Sequence, residues 1–599
     1  MNSTLKIVRA KTAAVCAGLL VIPALLGGCF DSGSAKVDPR DAGDADMLVY
    51  VTTDKARYAP GEPVKFALTM NESAQRGELL VRYKHLDETI DEAKIEWDGS
   101  PTVHWEWQPS ETDYQGYLTE IFVKQGKEMV DHANIAVDVS SDWGKFPRYG
   151  YLADFMAMEA AEQEAVIERL NRYRINGIQF YDWQWKHHKP LKLEGDAPAK
   201  QWPEIANRLV AYDTVKNYID LAHGKSMKAM NYNLLFGAFD DSEQDGVKRE
   251  WGMFKDPLLT NQDKHPLPES WASDILLLNP ANEEWQSYLF EEEKKVFEHL
   301  PFDGWHVDQL GDRGVLYDAN ADKINLPDTY ESFMNAAKKE IDVDYVMNAV
   351  GQFGQANIAK TPVEFLYTEV WDAHPGYRNL KEIADQNYKY SKGALNTVFA
   401  AYMNYDHADS AGEFNTPGVL LTDAVIFASG GSHLELGENM LAKEYFPNRN
   451  LKMTEELQDA LVSYYDFLTA YQNLLRDGAT DKELESASAE GAELSDQPER
   501  GKVWAFAKEA QGRTVLHLIN FTDAATLEWQ DNKADQTEPN EIADAKVTVK
   551  ADGKVKKAWM ASPDYYGGSA VPLDFKQKDG EVALTLPKLK YWNMIVLEY

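Results

Sequence analysis

From Met47 to Val139 apolar and polar residues alternate with a period of two, the mark of half-buried strands. "MLVYVTTDKARYAPGEPVKFALTM" carries the alternation across a Pro60–Gly61 turn, and "GELLVRYKHL" and "YLTEIFVKQ" continue it. The pattern predicts an Ig-like antiparallel β-sandwich over residues 47–141. Past Trp143 the rhythm changes. Short apolar runs alternate with stretches of helical period such as "EQEAVIERLNRYRIN" and "TYESFMNAAKKEI". Eight strand windows stand out, at 149–155, 177–183, 228–235, 303–310, 344–350, 364–371, 396–404 and 424–431. Eight strands alternating with helices predict a (β/α)8 TIM barrel over 142–483. A doubly wound sheet would carry a Gly-rich phosphate loop after its first strand, and "YGYLADF" is followed by none. Period-two alternation returns in "KVWAFAKEA", "TVLHLINF" and "YWNMIVLEY", which predicts a C-terminal antiparallel β-sandwich over 484–599. The expected fold is therefore multidomain α/β, a central barrel flanked by two β-sandwiches.

The first 46 residues show neither period. Lys6, Arg9 and Lys11 precede the apolar run "TAAVCAGLLVIPALLGGCF". Pro23 interrupts that run, which is shorter than the roughly 20 residues that span a bilayer comfortably. A basic start, an apolar core and small residues before a cleavage point make a secretory signal. "LGGC", Leu26 to Cys29, resembles a bacterial lipobox, in which the cysteine is lipidated and becomes the mature N-terminus. An ordinary cleaved signal peptide is the alternative. The expectation is a signal over 1–29, a polar tether over 30–46, and an exported protein anchored through Cys29 at the bacterial cell envelope or surface. Cys16 and Cys29 are the only cysteines, so no disulfide framework holds the predicted domains.

Charge narrows the partners. The 61 Lys and Arg stand against 97 Asp and Glu, a formal charge of −36. Such a surface repels phosphate backbones and anionic lipid heads, so nucleic acid is excluded as a partner and membrane contact is left to the anchor. The 16 Trp and 30 Tyr exceed what cores of this size need. They offer flat apolar faces for sugar rings, or simply aromatic-rich packing.

In a (β/α)8 barrel chemistry sits at the C-terminal ends of the strands. Strand four ends in "GWHVDQLGD" and strand six in "YTEVWD". Alternation puts Trp305 and Val307 on one face, toward the helices, and His306 and Asp308 on the other, toward the axis. Asp303 falls in the turn before the strand. Asp312 falls in the loop beyond it, where Arg313 is available to pair with it or with another acid. Glu369 shares its face with Tyr367 and Trp371, an apolar setting that raises a carboxyl pKa. Two carboxylates at a barrel mouth suit glycoside hydrolysis, one as nucleophile and the other as acid and base. Two acids in loop salt bridges are the alternative at this stage. "FYDWQWKHHKP", "NYN", "MNYDHAD" and "GGSHLELG" put further sugar-binding side chains at strands two, three, seven and eight. No H-E-x-x-H, cysteine pair or G-x-S-x-G is present, so neither a metal centre nor a serine elbow is expected.

Five motifs in order, "FYDWQWKHHKP", "FDGWHVDQLGDRG", "YTEVWD", "AYMNYD" and "FASGGSHLELG", resemble glycoside hydrolase family 66. That family holds endo-acting dextranases and cycloisomaltooligosaccharide glucanotransferases. The resemblance implies a retaining double displacement on α-1,6-glucans such as dextran, with isomaltooligosaccharide products and no cofactor. It implies Asp308 as nucleophile and Glu369 as acid/base. It suggests that Tyr181, Asp182 and Asn231 bind the glucose at the cleavage point, with His306, Trp371, His433 and Glu435 as further contacts. The glucanotransferases commonly carry an extra carbohydrate-binding module in the catalytic region. The longest connection here, Phe236 to Phe302, is too short for one, which favours a dextranase. A glucanotransferase and a non-catalytic glycan-binding lipoprotein are the competing expectations.

Overall fold

The computed structural model describes residues 37–71 and 76–599. The expected signal segment and Cys29 lie outside the described residues. No helix among the described residues is long and apolar enough to cross a membrane.

Residues 48–139 form two antiparallel sheets of three and four strands packed face to face. Their core is Val64, Phe66, Leu79, Val81, Ile121 and Val137, the inward half of each alternating strand. Eight parallel strands follow: β1 (Tyr149–Leu152), β2 (Gly177–Phe180), β3 (Lys228–Leu234), β4 (Gly304–Asp308), β5 (Asp344–Val350), β6 (Leu366–Glu369), β7 (Thr397–Ala400) and β8 (Gly431–His433). They pair in sequence order from β1 to β8. The Tyr151 N–H donates to the Leu436 carbonyl just past β8 at 3.0 Å, which draws the first and last strands together into a nearly closed barrel. The C-terminal region again holds two mainly antiparallel sheets. Its first strand, Thr480–Lys482, pairs with Val503–Ala510 and so lies ahead of the expected start at 484.

The barrel helices are α1 (Ala160–Arg172), α2 (Tyr212–Gly224), α3 (Glu283–His299), α4 (Leu326–Glu340), α5 (Gln355–Ile358), α6 (Tyr377–Ser391), α7 (Thr416–Ala428) and α8 (Glu455–Ala470). Their starts are written locally. Asn282 caps α3 by accepting from the Trp285 N–H, Thr454 caps α8 by accepting from the Leu457 N–H, and Pro327 and Pro417 open α4 and α7.

One strand window is corrected. "AVIFASGG", 424–431, is not a strand: its first five residues close α7, and the eighth strand begins at Gly431. Every residue of α7 from Gly418 to Ala428 is buried. The helix is covered by the barrel on one side and by the C-terminal sheet on the other, with the Thr422 hydroxyl donating to the Trp529 carbonyl at 2.8 Å. A helix buried all round loses its amphipathic period, so its apolar run reads like a buried strand.

Side-chain parity decides what reaches the axis. Trp305 and Val307 pack with Phe333, Met334 and Trp285 in the helix layer, as alternation predicts. Tyr149, Tyr151, Met230, Val346, Tyr367 and Val398 fill the barrel. Trp143 plugs its N-terminal end against Phe365 and lies over Gly177, where any Cβ would collide with the indole.

Candidate active site

The C-terminal ends of the strands open into a cavity of about 490 Å³. Asp308, the last residue of β4, and Glu369, the last of β6, both line it. Asp308 Oδ2 accepts from the Tyr232 hydroxyl at 2.6 Å. Its Oδ1 accepts from the Asn348 amide and from the Gln309 N–H, each at 2.8 Å. Burial pushes the Asp308 pKa up and these three donors pull it back. Glu369 Oε1 accepts from the Tyr402 hydroxyl and Oε2 from the Asn348 amide at 3.0 Å. Burial, and after it the negative charge of Asp308, push the Glu369 pKa up to about 7. Burial also holds both tyrosines well above their usual pKa, so they remain donors. With three donors, Asp308 is the better-stabilised anion of the pair. Glu369, pushed up by burial and by the neighbouring Asp308 charge, is the better holder of a proton. Because one amide nitrogen bonds both, Oδ1 and Oε2 are at most about 5.8 Å apart, the sum of the two bonds. A nucleophile and a proton donor at that separation can act on one bond from two sides.

The other expected residues divide. Tyr181, Asp182, His306 and Trp371 line the same cavity. Tyr181 stacks on Phe446 with ring centres 4.2 Å apart, and Trp371 lies 5.4 Å from Tyr402, so two walls are aromatic. Asp182 sits just past β2 at φ +44°, a left-handed backbone that Asp adopts more readily than most residues with a side chain. Burial and then the charge of Glu204 push its pKa to about 7. His306 lies on the cavity floor with Nδ1 3.1 Å from the Tyr149 hydroxyl, and burial lowers its pKa to about 3, so it is neutral.

Three expected contacts are not in the cavity. Asn231 stands at the opposite parity of β3 from Tyr232. Its side chain turns outward, donating to Glu293 of α3 at 2.7 Å and accepting from the Trp183 indole at 2.9 Å. His433 and Glu435 are sealed behind β8 with no exposed surface. His433 Nδ1 is 2.8 Å from Asp423 of α7 and 3.3 Å from Glu435, and its Nε2 donates to the Ala401 carbonyl at 2.7 Å. Glu435 also accepts from the Tyr465 hydroxyl at 2.9 Å. The Gly-rich loop around them suggested exposure, but covering by α7 and α8 buries it. Asp312 does not pair with Arg313. It accepts from the Gly314 N–H at 2.8 Å, while Arg313 reaches Asp263 at 2.8 and 3.0 Å and ties the β4 loop to the β3 connection. Asp303 accepts from the Ala229 N–H and from Lys228 and His223, and so fixes the entry to β4.

The residues that sequence reading missed are Tyr232, Asn348 and Tyr402. Alternation held the signal for two of them. Tyr232 shares parity with Met230 and Leu234, and Asn348 stands at the inward parity of β5, between Val346 and Val350. The connection after β3 adds His265, Leu267 and Trp271 to the cavity wall. Among the described residues two groups have metal-ligand spacing, His188–Asp241–Asp245 and Asp423–His433–Glu435. The first is tied up by Lys186 and Lys189, and neither Asp308 nor Glu369 belongs to either.

The model of Glycosyl hydrolase family 66 matches residues 53–596. A cycloisomaltooligosaccharide glucanotransferase of Niallia circulans is 27% identical over 733 positions, covering 97% of this chain and 74% of that protein. Since this chain has only 599 residues, that relative carries insertions absent here. A dextranase of Streptococcus salivarius is 25% identical over 610 positions, covering 89% of this chain and 73% of that protein. The crystal structure of a cycloisomaltooligosaccharide glucanotransferase of Paenibacillus sp. complexed with cycloisomaltoheptaose superposes with a TM-score of 0.87 at 27% identity. It covers 93% of this chain and all of that one.

Proposed function

Since the chain belongs to glycosyl hydrolase family 66 and is a glycosidase-type enzyme, we propose that it hydrolyses internal α-1,6-glucosidic bonds of dextran to isomaltooligosaccharides with retention of configuration. The observation that carries this reading is the pair Asp308 and Glu369, joined by one amide that keeps Asp308 Oδ1 and Glu369 Oε2 within about 5.8 Å of each other. Retaining enzymes hold their carboxyl groups about 5–5.5 Å apart, whereas inverting ones leave roughly 6.5–9.5 Å for a water.

In the first step Asp308 attacks the anomeric carbon of the bound glucose. The bond from that carbon to the glycosidic oxygen breaks, and Glu369 gives its proton to the departing 6-hydroxyl. The pKa of about 7 keeps that proton in place near neutral pH. Once Asp308 is an ester its charge is gone, and with it one of the causes that hold the Glu369 pKa up. Glu369 is then the stronger acid and its anion is ready to take a proton from water. The resulting hydroxide equivalent attacks the anomeric carbon and releases Asp308. Tyr181, Phe446 and Trp371 supply faces for the sugar rings.

A second reading has support of its own. The glucanotransferase relatives align over more of this chain than the dextranase does, and a glucan 6-hydroxyl in place of water would make longer or cyclic glucans by the same two steps. The short Phe236–Phe302 connection, which leaves no room for an added carbohydrate-binding module, favours hydrolysis. Incubation with dextran, with products resolved by size and reducing ends counted, separates the two. Rapid viscosity loss with linear products supports the hydrolase, and cyclic main products overturn it. Export and lipid anchoring at Cys29 are proposed from the "LGGC" motif, and the mass of the mature N-terminus tests them.

A further inference from the structure

We infer that Asn348 is a positioning residue. Its amide nitrogen donates one hydrogen to Asp308 and the other to Glu369. This fixes the gap between the carboxyl groups and leaves Asp308 Oδ2 as the attacking oxygen. The inference rests on the retaining mechanism proposed above.

Strand register places Asn348 beside Asp308 and one inward step before Glu369. Met347 pairs with Val307 across β4 and β5, and Val350 pairs with Glu369 across β5 and β6. Asn348 therefore stands between the two carboxylates on the strand that separates them. A primary amide has two hydrogens, and the bonds of 2.8 Å to Asp308 Oδ1 and 3.0 Å to Glu369 Oε2 use both. The orientation of the amide is not ambiguous. Turned over, its carbonyl oxygen would face the charged Asp308 Oδ1 with no hydrogen between them. In the orientation observed, Asn348 Oδ1 is buried and has no partner among the described residues. An orphaned acceptor is a polar group left unsatisfied so that the nitrogen can serve both acids.

The same bonds select an oxygen. Asp308 Oδ1 accepts from Asn348 and from the Gln309 N–H, which fill its two lone-pair directions. Oδ2 accepts only from Tyr232 and keeps one direction free. Attack through Oδ2 forms the bond to the anomeric carbon while the bond to the glycosidic oxygen breaks with its electron pair, and the Glu369 proton goes to that oxygen. Oδ1 becomes the ester carbonyl and goes on accepting from Asn348, so the amide holds the intermediate without moving.

Both bonds favour the charged forms of the acids, so their loss lets both pKa values rise. The test is Asn348→Ala and Asn348→Leu beside the wild type, with folding checked by thermal melting. The leucine variant nearly keeps the outline of the side chain, removes the donor and adds no charge, and it serves where the alanine variant fails to fold. The expected result is a fall of about a hundredfold in kcat/KM on dextran. Both limbs of the pH profile should also move alkaline by about one pH unit. A loss of activity with unmoved limbs, or no loss, overturns the assignment. Infrared titration of the protonated-carboxyl band, identified by its disappearance in Glu369→Gln, needs no substrate. That band should titrate at higher pH in Asn348→Ala, and an unmoved band overturns the assignment. A wild type that leaves dextran uncut would sink the functional reading alone.

Discussion

Two pairs of buried carboxyl groups lie a few strands apart in one barrel. Asp308 and Glu369 face the cavity, and Asp423 and Glu435 are sealed behind β8 around His433. Burial pushes Glu369 up to about 7 and Glu435 up to about 8, so by titration alone the sealed pair is the more perturbed. The difference lies in access and partners. The mouth pair is served by neutral donors, Tyr232, Asn348 and Tyr402, which orient the acids and leave each an unoccupied direction. The sealed pair shares an imidazole, a hydroxyl and its own protons, with no surface a substrate can reach. A shifted pKa marks a strained charge, and only an open face makes it a site.

Substitution separates the two clusters most sharply in activity. Asp308→Asn should lower kcat on dextran by about 10⁴-fold or more, and Glu369→Gln by about 10²–10⁴-fold. Glu435→Gln, which imitates the neutral acid already present below pH 8, should leave kcat within about threefold. Steady-state rates on folded protein decide it, and a dead Glu435→Gln would erase the distinction.

Stability inverts the ranking. His433→Ala leaves a cavity and takes the imidazole partner from two buried acids, and should lower unfolding free energy by about 2–5 kcal/mol, with little change in kcat of what folds. Calorimetric unfolding checks this, and an unaffected melt would mean that the imidazole is not what holds the triad.

The pH dependence carries a sign. A carboxyl whose pKa is raised in the fold contributes stability below its unfolded value of 4.5, and that contribution is lost as pH rises through about 7. Above that, ionised Glu369 weighs against the fold. Glu369→Gln should therefore stabilise the protein at pH 8 by on the order of 2–3 kcal/mol and make no difference at pH 4. For Glu435→Gln the gain should also build from about pH 4.5 but go on growing to about pH 8, past the point where that of Glu369→Gln levels off. Equal melts for wild type and Glu369→Gln across that range would contradict the raised value.

The smallest effect concerns Asn231. Asn231→Ala removes its bonds to Glu293 and Trp183 and should lower stability by about 1–3 kcal/mol. Its kcat/KM should stay within about threefold, whereas a selective rise in KM would return Asn231 to the substrate.

By itself the sequence determined the order of the folds, the parity of β4 and the two carboxylates. Period-two and helical rhythms survive in a string, and a strand's faces follow from counting by twos. That was enough to turn His306 and Asp308 inward and Trp305 and Val307 outward. Counting by twos would also have found Tyr232 and Asn348, had it been applied to "KAMNYNLL" and "DYVMNAV" as it was to "GWHVDQL". The tertiary structure alone decided the rest. Whether "AVIFASGG" is strand or helix depends on what covers it, because a segment buried on all sides keeps no period. Whether His433 and Glu435 meet sugar or only each other depends on α7 and α8, which arrive from elsewhere in the chain to close over them. The bond of Arg313 to Asp263 rather than to its neighbour Asp312 joins two loops 50 residues apart, and no local pattern records it. Local alternation fixes which way a side chain points, and packing between distant segments fixes what it meets there.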